Sequence, residues 1–448
     1  MLGTGVEALK IVHIVPGSGD TFYCENCLRD CALVKELRRA GLDVSIVPMY
    51  LPLFQDNPDL VSDAPVFFGG INVYLQQKFG LFRRTPRWLD SLLDARWLLR
   101  LLAHKAGSTR ADALGDMTLS MLSGEQGHQV KEVQRLVQWL RDSEKPDIVH
   151  ISNALLIGLA EPIKQALNIP VLCTLQDEDV WIDAMGPQHS ELCWDAIKTK
   201  TAFVDRFIIV SEYYAEVMRQ RLAIADDKIS VVPLGIDIAG FKRSSLPMDP
   251  PVIGYLARMS KPLGLGILAE AFIKLKEIPD LANLQLKISG GYTADDQPFI
   301  EEIKSKLATA GVLGDCHFEP EFNRDRRIDF FASVTLLSVP VLAGGAFGSF
   351  VTEAMAAGVP VVQPEIGSFP EIIEASGGGV LYKPNTPSRL DETVANLLND
   401  RPRLEALAEA AAASAEELYS IRIMGARLNQ IYSACAQTPN GPALVDVI

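Results

Sequence analysis

Lys-Ile-Val-His-Ile-Val-Pro-Gly-Ser-Gly-Asp, residues 10 to 20, is the stretch from which the fold is read. Lys10 to Pro16 is an apolar, β-branched run too short for a helix, and Gly17, Ser18, Gly19 and Asp20 break it as a turn. Helical spacing then starts near Cys24 and closes near Gly41, and a second apolar run covers Asp43 to Val47. Strand, glycine turn, helix and strand make a βαβ unit, whose two strands must lie parallel. The rhythm returns at Asp147 to Ile151, at Val171 to Thr174 after a helix over Ile157 to Leu167, and at Phe207 to Val210. It starts afresh beyond Pro251, with strands at Val252 to Leu256, Leu284 to Ser289, Leu336 to Val339 and Val359 to Val362, and a helix near Leu265 to Leu275. Two such series predict an α/β protein of two Rossmann-like, doubly wound parallel-sheet domains. Their hinge is expected at Asp237 to Pro251, where serines and prolines cluster. The expected division is 1–237, with a helical insertion over about 50–129; 238–415; and a C-terminal helix and tail over 416–448. An alanine-rich helix is expected across Arg401 to Ala434.

The 448 residues carry a net charge of −14, which disfavours a nucleic-acid groove, and 48% hydrophobic with 22% charged residues describes an ordinary folded chain. Seven cysteines and a start without a basic leader point to a reducing, cytoplasmic setting. From Phe330 to Thr352 no residue is charged, a length that can span a bilayer. Pro340, Gly344, Gly345 and Gly348 interrupt it, so strand, glycine loop and helix start are expected instead.

Gly17-Ser18-Gly19 lacks the third glycine of a dinucleotide fingerprint, since Phe22 stands there. Gly17 and Gly19 remain candidates for ligand contact because they turn the chain at the carboxyl end of a strand. Cys24, Cys27 and Cys31 open the first helix, but no second Cys-x-x-Cys accompanies them. They are read as buried thiols; no metal and no cofactor are expected. In the segment 82–105, six basic residues stand against Asp90 and Asp94, with Trp88 and Trp97 among leucines. It fits an amphipathic helix packed on its own domain, an anionic membrane surface or lipid-linked acceptor, or a protein partner. A position at the inner face of a membrane goes with the second of these.

The most informative segment is Val339 to Ile373. Gly344, Gly345 and Gly348 let backbone N–H groups approach an anion, and a helix starting near Ser349 aims its positive end at the same point. Glu353, a turn into that helix, suits the vicinal hydroxyls of a ribose. Arg258 and Lys261 follow one strand, Gly290 follows another, and the two cations suit a diphosphate.

Gly345-Ala346-Phe347-Gly348-Ser349 followed by Glu353 resembles the loop and E-x7-E pair of retaining GT-B glycosyltransferases of family 4. Val232 to Asp237, Pro146 to His150 and Phe369-Pro370-Glu371 extend the resemblance over most of both domains. It implies the GT-B fold, two domains facing across a cleft, with Arg258 and Ala346 to Ser349 on the donor diphosphate and Glu353 on the ribose. Three positions depart from the family. The first glutamate of the pair falls on Gly345, the diphosphate lysine on Leu263 with Lys261 two positions early, and the acceptor-domain histidine on Gln176. Gln176 and Glu178 are then the nearest polar residues to make good the missing sugar contact. The expected function is retaining transfer of a sugar from a nucleotide-diphosphate donor, to a lipid-linked or envelope-glycan acceptor. The alternative is a degenerate glycosyltransferase serving as a binding or scaffold subunit.

Overall fold

A computed structural model describes residues 8–17, 25–49, 67, 114–241, 245–320 and 324–437. Their strands form two six-stranded sheets, and within each sheet every pairing is parallel. The first sheet runs β2-β1-β3-β4-β5-β6, with β1 Lys10–Val15, β2 Asp43–Pro48, β3 Ile148–Ile151, β4 Val171–Leu175, β5 Arg206–Ile209 and β6 Ile229–Val231. Ile11, Val12, Ile14 and Val15 are wholly buried, as expected of a parallel strand covered on both faces. The helix Glu25–Arg39 makes the crossover between β1 and β2, and Gly41, at φ +92°, turns the chain after it.

The second sheet runs β12-β11-β10-β7-β8-β9, with β7 Val252–Leu256, β8 Gln285–Ser289, β9 Cys316–Glu319, β10 Leu336–Leu337, β11 Val361–Pro364 and β12 Gly379–Tyr382. Counted from β7, this is the order 3-2-1-4-5-6 of a dinucleotide-binding sheet, and it reverses direction between β7 and β10. Open parallel sheets hold ligands outside the carboxyl ends of the strands at such a reversal. In this sheet the loops concerned begin at Ala257 and Ser338.

Three strands escape the sequence reading, β6, β9 and β12, and all three are sheet edges. Their residues are mostly half-buried, so the continuous apolar run that marks a central parallel strand is missing. The expected helix over 401–434 is two helices, Arg401–Leu418 and Ile421–Gln437. Between them Ile236 N–H donates to Tyr419 O at 2.8 Å and Ile421 N–H donates to Ile236 O at 2.8 Å, which takes the backbone out of helical pairing.

By their contacts the residues divide into two compact units. The first holds the described residues up to Val210, Ala215–Gly235 and those from Met424 onward; the second holds Ser211–Tyr214 and Ile236–Ile423. The last helix is therefore part of the first unit's core: Tyr432, wholly buried, places its hydroxyl 2.6 Å from Nδ1 of His150 in β3. The uncharged stretch 330–352 is divided between the end of a helix, β10, a loop and the start of another helix. No helix among the described residues is long and apolar enough to cross a membrane. Segment 82–105, Gly19 and Cys24 lie outside the described residues, and so does the side chain of Cys27. Cys31 is buried.

Candidate functional site

The second unit gathers the predicted donor residues on loops at the reversal of its sheet. Arg258 follows β7. Its Nε donates to Asp296 Oδ2 at 2.9 Å and its Nη2 to Thr293 Oγ1 at 3.0 Å, while the side chain stays about half exposed. Two of five guanidinium N–H groups are thus engaged in aiming the fork. Asp296 also accepts from Thr293 N–H at 2.8 Å and Thr293 O–H at 2.9 Å. Burial pushes the Asp296 carboxyl up, but the hydrogen bonds from Arg258 and Thr293 outweigh it and hold the group below the ordinary carboxylate range. The backbone behind Arg258 is fixed by Tyr255, whose buried hydroxyl lies 3.0 Å from Arg258 O. Lys261 is exposed, in a single turn Lys261–Leu263, and no described group pairs with its ammonium.

Gly290, after β8, takes φ +140°, and a Cβ there would stand 2.0 Å from Ala257 O. Only glycine allows the β8 loop to lie against the Arg258 loop. Met259 N–H donates to Gly291 O at 2.9 Å and joins the same two loops.

In the glycine loop after β10, the carbonyls are tied down. Ser211 Oγ donates to Ala346 O at 2.5 Å, Ser368 Oγ to Phe347 O at 2.8 Å, and Ser368 N–H to Gly345 O at 3.4 Å. In a planar trans peptide the N–H points opposite the preceding C=O, so the donors of Ala346, Phe347 and Gly348 turn away from those anchors. No described group accepts from Phe347 or Gly348 N–H. Gly348, at φ +84°, then starts the helix Ser349–Ala356, and Ala346 and Phe347 are buried beneath the turn. Unpaired N–H groups at a helix start form an anion site. A Cβ on Gly345 would find no atom within 4 Å.

Glu353 is 7% exposed, and its Oε1 is ion-paired with Nη2 of Arg327, itself 6% exposed, on the helix Arg324–Ala332. Glu371, on the helix Phe369–Ser376, takes N–H groups of Glu212 and Tyr213 on Oε2 at 3.0 and 3.4 Å; burial pushes its carboxyl up.

In the first unit Gly17 closes β1 with φ +81°. Gln176 and Glu178 follow β4 and are 2% and 1% exposed. Gln176 Nε2 donates to Ser152 O at 2.8 Å, and its Oε1 accepts from Arg29. Glu178 accepts from the N–H groups of Gln176, at 2.7 Å, and Ala154, at 3.1 Å. The structure therefore brings Arg258, Lys261, Gly290, Ala346 to Ser349 and Glu353 onto the loops and helix of one unit, and Gly17, Gln176 and Glu178 onto strand ends of the other. Arg327, Asp296, Thr293 and Ser368 were not found from sequence. The signal for Arg327 was present: Phe330 and Phe331, three and four residues on, mark the buried face of its helix. Among the described residues no group of His, Cys, Asp or Glu side chains is arranged to hold a metal ion.

Residues 239–414 match the family model for glycosyl transferases group 1, and residues 101–239 match the model for Glycosyltransferase Family 4. With the two sheet orders described above, these matches define the chain: it belongs to the group 1 glycosyltransferases and has the GT-B fold. Among curated proteins it is 29% identical over 277 residues to D-inositol 3-phosphate glycosyltransferase 1 of Catenulispora acidiphila, covering 58% of this chain and 66% of that one. It is 27% identical over 190 residues to D-inositol 3-phosphate glycosyltransferase of Acidothermus cellulolyticus, covering 40% and 42%. The chain thus spans from under half to just under two thirds of the length of these relatives. Among solved structures, Anabaena Alr3699/HepE in complex with UDP and glucose superposes with a TM-score of 0.64 at 17% identity, over 95% of this chain and all of that one. Sucrose-phosphate synthase from Thermosynechococcus elongatus does so with a TM-score of 0.68 at 16% identity, over 95% and 98%.

Proposed function

We propose that this chain moves a sugar from a nucleotide-diphosphate donor to an acceptor, with retention at the anomeric carbon. The observation that carries the reading is the loop Gly344 to Ser349, its carbonyls anchored behind and the N–H groups of Phe347 and Gly348 without acceptors among the described residues, on the same unit as the aimed guanidinium of Arg258. In this reading the donor diphosphate takes those N–H groups, Arg258 and Lys261, and the ribose takes Glu353. The charge that grows on the leaving diphosphate falls on donors already in place, which is where such chemistry gains most. A UDP-sugar is the donor of first choice because HepE is seen with UDP, and the names of the curated relatives favour a phosphorylated cyclitol as acceptor. A lipid-linked acceptor held by segment 82–105 is the competing choice, and adding either acceptor to the donor assay decides between them.

Release of UDP or GDP from a panel of nucleotide sugars tests the proposal. Arg258→Ala is expected to lower turnover by roughly 100- to 1000-fold, the usual cost of one preorganised donor. Absence of both release and nucleotide binding by the unmodified protein overturns the reading. One set of observations favours the second reading, a non-catalytic subunit: Gln176 and Glu178, the residues placed to replace the missing contact, are buried and engaged by the first unit's own loops. On that reading nucleotide binding persists without release, and Gly345→Glu with Leu263→Lys raises donor hydrolysis from a blank level.

A further inference from the structure

Glu353 and Arg327 are both more than nine-tenths buried, and each would be out of place there alone. A charge taken from water without a counter-charge is costly, and a buried pair returns little stability beyond what an apolar pair would give. Stability alone therefore does not explain an arginine and a glutamate in this position. Their geometry is more specific. Arg327 engages Oε1, one of the two carboxylate oxygens. Glu353 itself is only 7% exposed, so its side chain has little room to rotate. Gly348, whose N–H finds no acceptor among the described residues, lies five residues before Glu353, roughly 7.5 Å of helical rise, the scale on which a nucleotide places phosphate and ribose.

We propose that Arg327 is the positioning residue of the ribose subsite: it holds one oxygen of Glu353 so that the other meets the vicinal hydroxyls of a bound ribonucleotide. The inference rests on the nucleotide reading above. An arginine serves where a lysine does so poorly, because the planar guanidinium fixes the plane of the carboxylate and an ammonium does not. Arg327 makes no contact with the nucleotide in this arrangement; it acts through Glu353.

The test is calorimetric titration of the full chain with UDP, GDP and ADP and with their 2′,3′-dideoxy counterparts. The quantity read is the ratio of the two affinities for the preferred base, which a general loss of fold does not change. Wild type is expected to prefer the ribonucleotide by about tenfold or more, the value of hydrogen bonds to a charged group. In Arg327→Met the ratio is expected to fall to within about threefold of unity, with the dideoxy affinity little changed; Arg327→Lys is expected to lie between. If Arg327→Met does not fold, Arg327→Lys carries the test, and a wild-type ratio in that variant overturns the inference. A ratio retained in folded Arg327→Met likewise overturns it and leaves the nucleotide reading intact. Wild type that binds none of the six ligands removes the nucleotide reading and this inference with it.

Discussion

Gly290 and Gly345 sit on loops of one unit, after β8 and after β10, and make opposite demands on the chain. At Gly290 the backbone is in a region that side chains rarely adopt, and the Ala257 carbonyl occupies the place of a Cβ; at Gly345 nothing lies within 4 Å. Gly290→Ala is therefore expected to cost about 1–3 kcal/mol, the range for forced backbone strain, and to shift the urea midpoint accordingly. Gly345→Glu is expected to stay within about 0.5 kcal/mol of wild type, as an open surface change does. Steric room for a Cβ at position 345 is therefore present in the fold. Asp296 supplies the pH dependence of the same site. Its folded-state pKa lies below the ordinary 3.8, so the folded form binds fewer protons than the unfolded one in that window. Stability is fully present above the ordinary value and is lost as the pH falls through the folded one. Between about pH 4 and 2, wild type should lose stability more steeply than Asp296→Asn, which lacks the titrating group. Equal slopes in acid denaturation would show that Asp296 does not anchor Arg258 in solution.

The clearest single element is the last helix, Ile421–Gln437, which lies far from β3 in sequence and pairs with it through one polar contact. His150 is wholly buried, with Nδ1 on Tyr432 and Nε2 2.8 Å from Thr174 Oγ1. Burial, aided by His13, holds its pKa well below the ordinary 6.5, so the folded ring stays neutral where the unfolded one takes a proton. Stability should fall as the pH drops below about 6.5, and His150→Asn should remove that part of the slope. Tyr432→Phe leaves a buried ring nitrogen without its partner and is expected to cost about 1–3 kcal/mol in chemical denaturation. Elements of this kind mark what was legible. Central strands read directly from sequence because burial on both faces makes them continuously apolar, as at Ile11 to Val15. Edge strands β6, β9 and β12 did not, since half-exposed residues carry no such signature. The glycine loop and the helix that starts at Ser349 were legible because a turn through positive φ, as at Gly348, demands glycine ahead of a helix start. Arg327 was legible as a position on a buried helix face but not in its partner, and Asp296 and Thr293 were not legible, because these roles come from tertiary partners, which no local pattern encodes. Gln176 and Glu178 were placed correctly at a strand end, yet sequence gives no hint that backbone groups of the first unit engage both.

At the scale of the whole molecule the chain carries two sheets with separate cores, and the ligand groups of the proposed donor site belong to one of them. Multi-domain chains need not unfold in one step. A nucleotide that binds through Arg258, the glycine loop and Glu353 makes its contacts within the second unit, whereas Tyr432→Phe removes a contact within the first. The two perturbations should therefore act on different transitions in scanning calorimetry. UDP at 100 times its dissociation constant stabilises its unit by about 2.7 kcal/mol, and for a unit of this size that is a shift of roughly 5 to 10 °C. Tyr432→Phe should lower the other transition and leave the UDP-sensitive one within about 1 °C, because sites without shared partners act additively. If both perturbations move one common transition by their full amounts, the two units unfold as a single cooperative body and their stabilities are coupled. If UDP moves neither while nucleotide binding is measured separately, the contacts that hold it are made equally well by the unfolded chain, which an anion site built from anchored peptide groups does not allow.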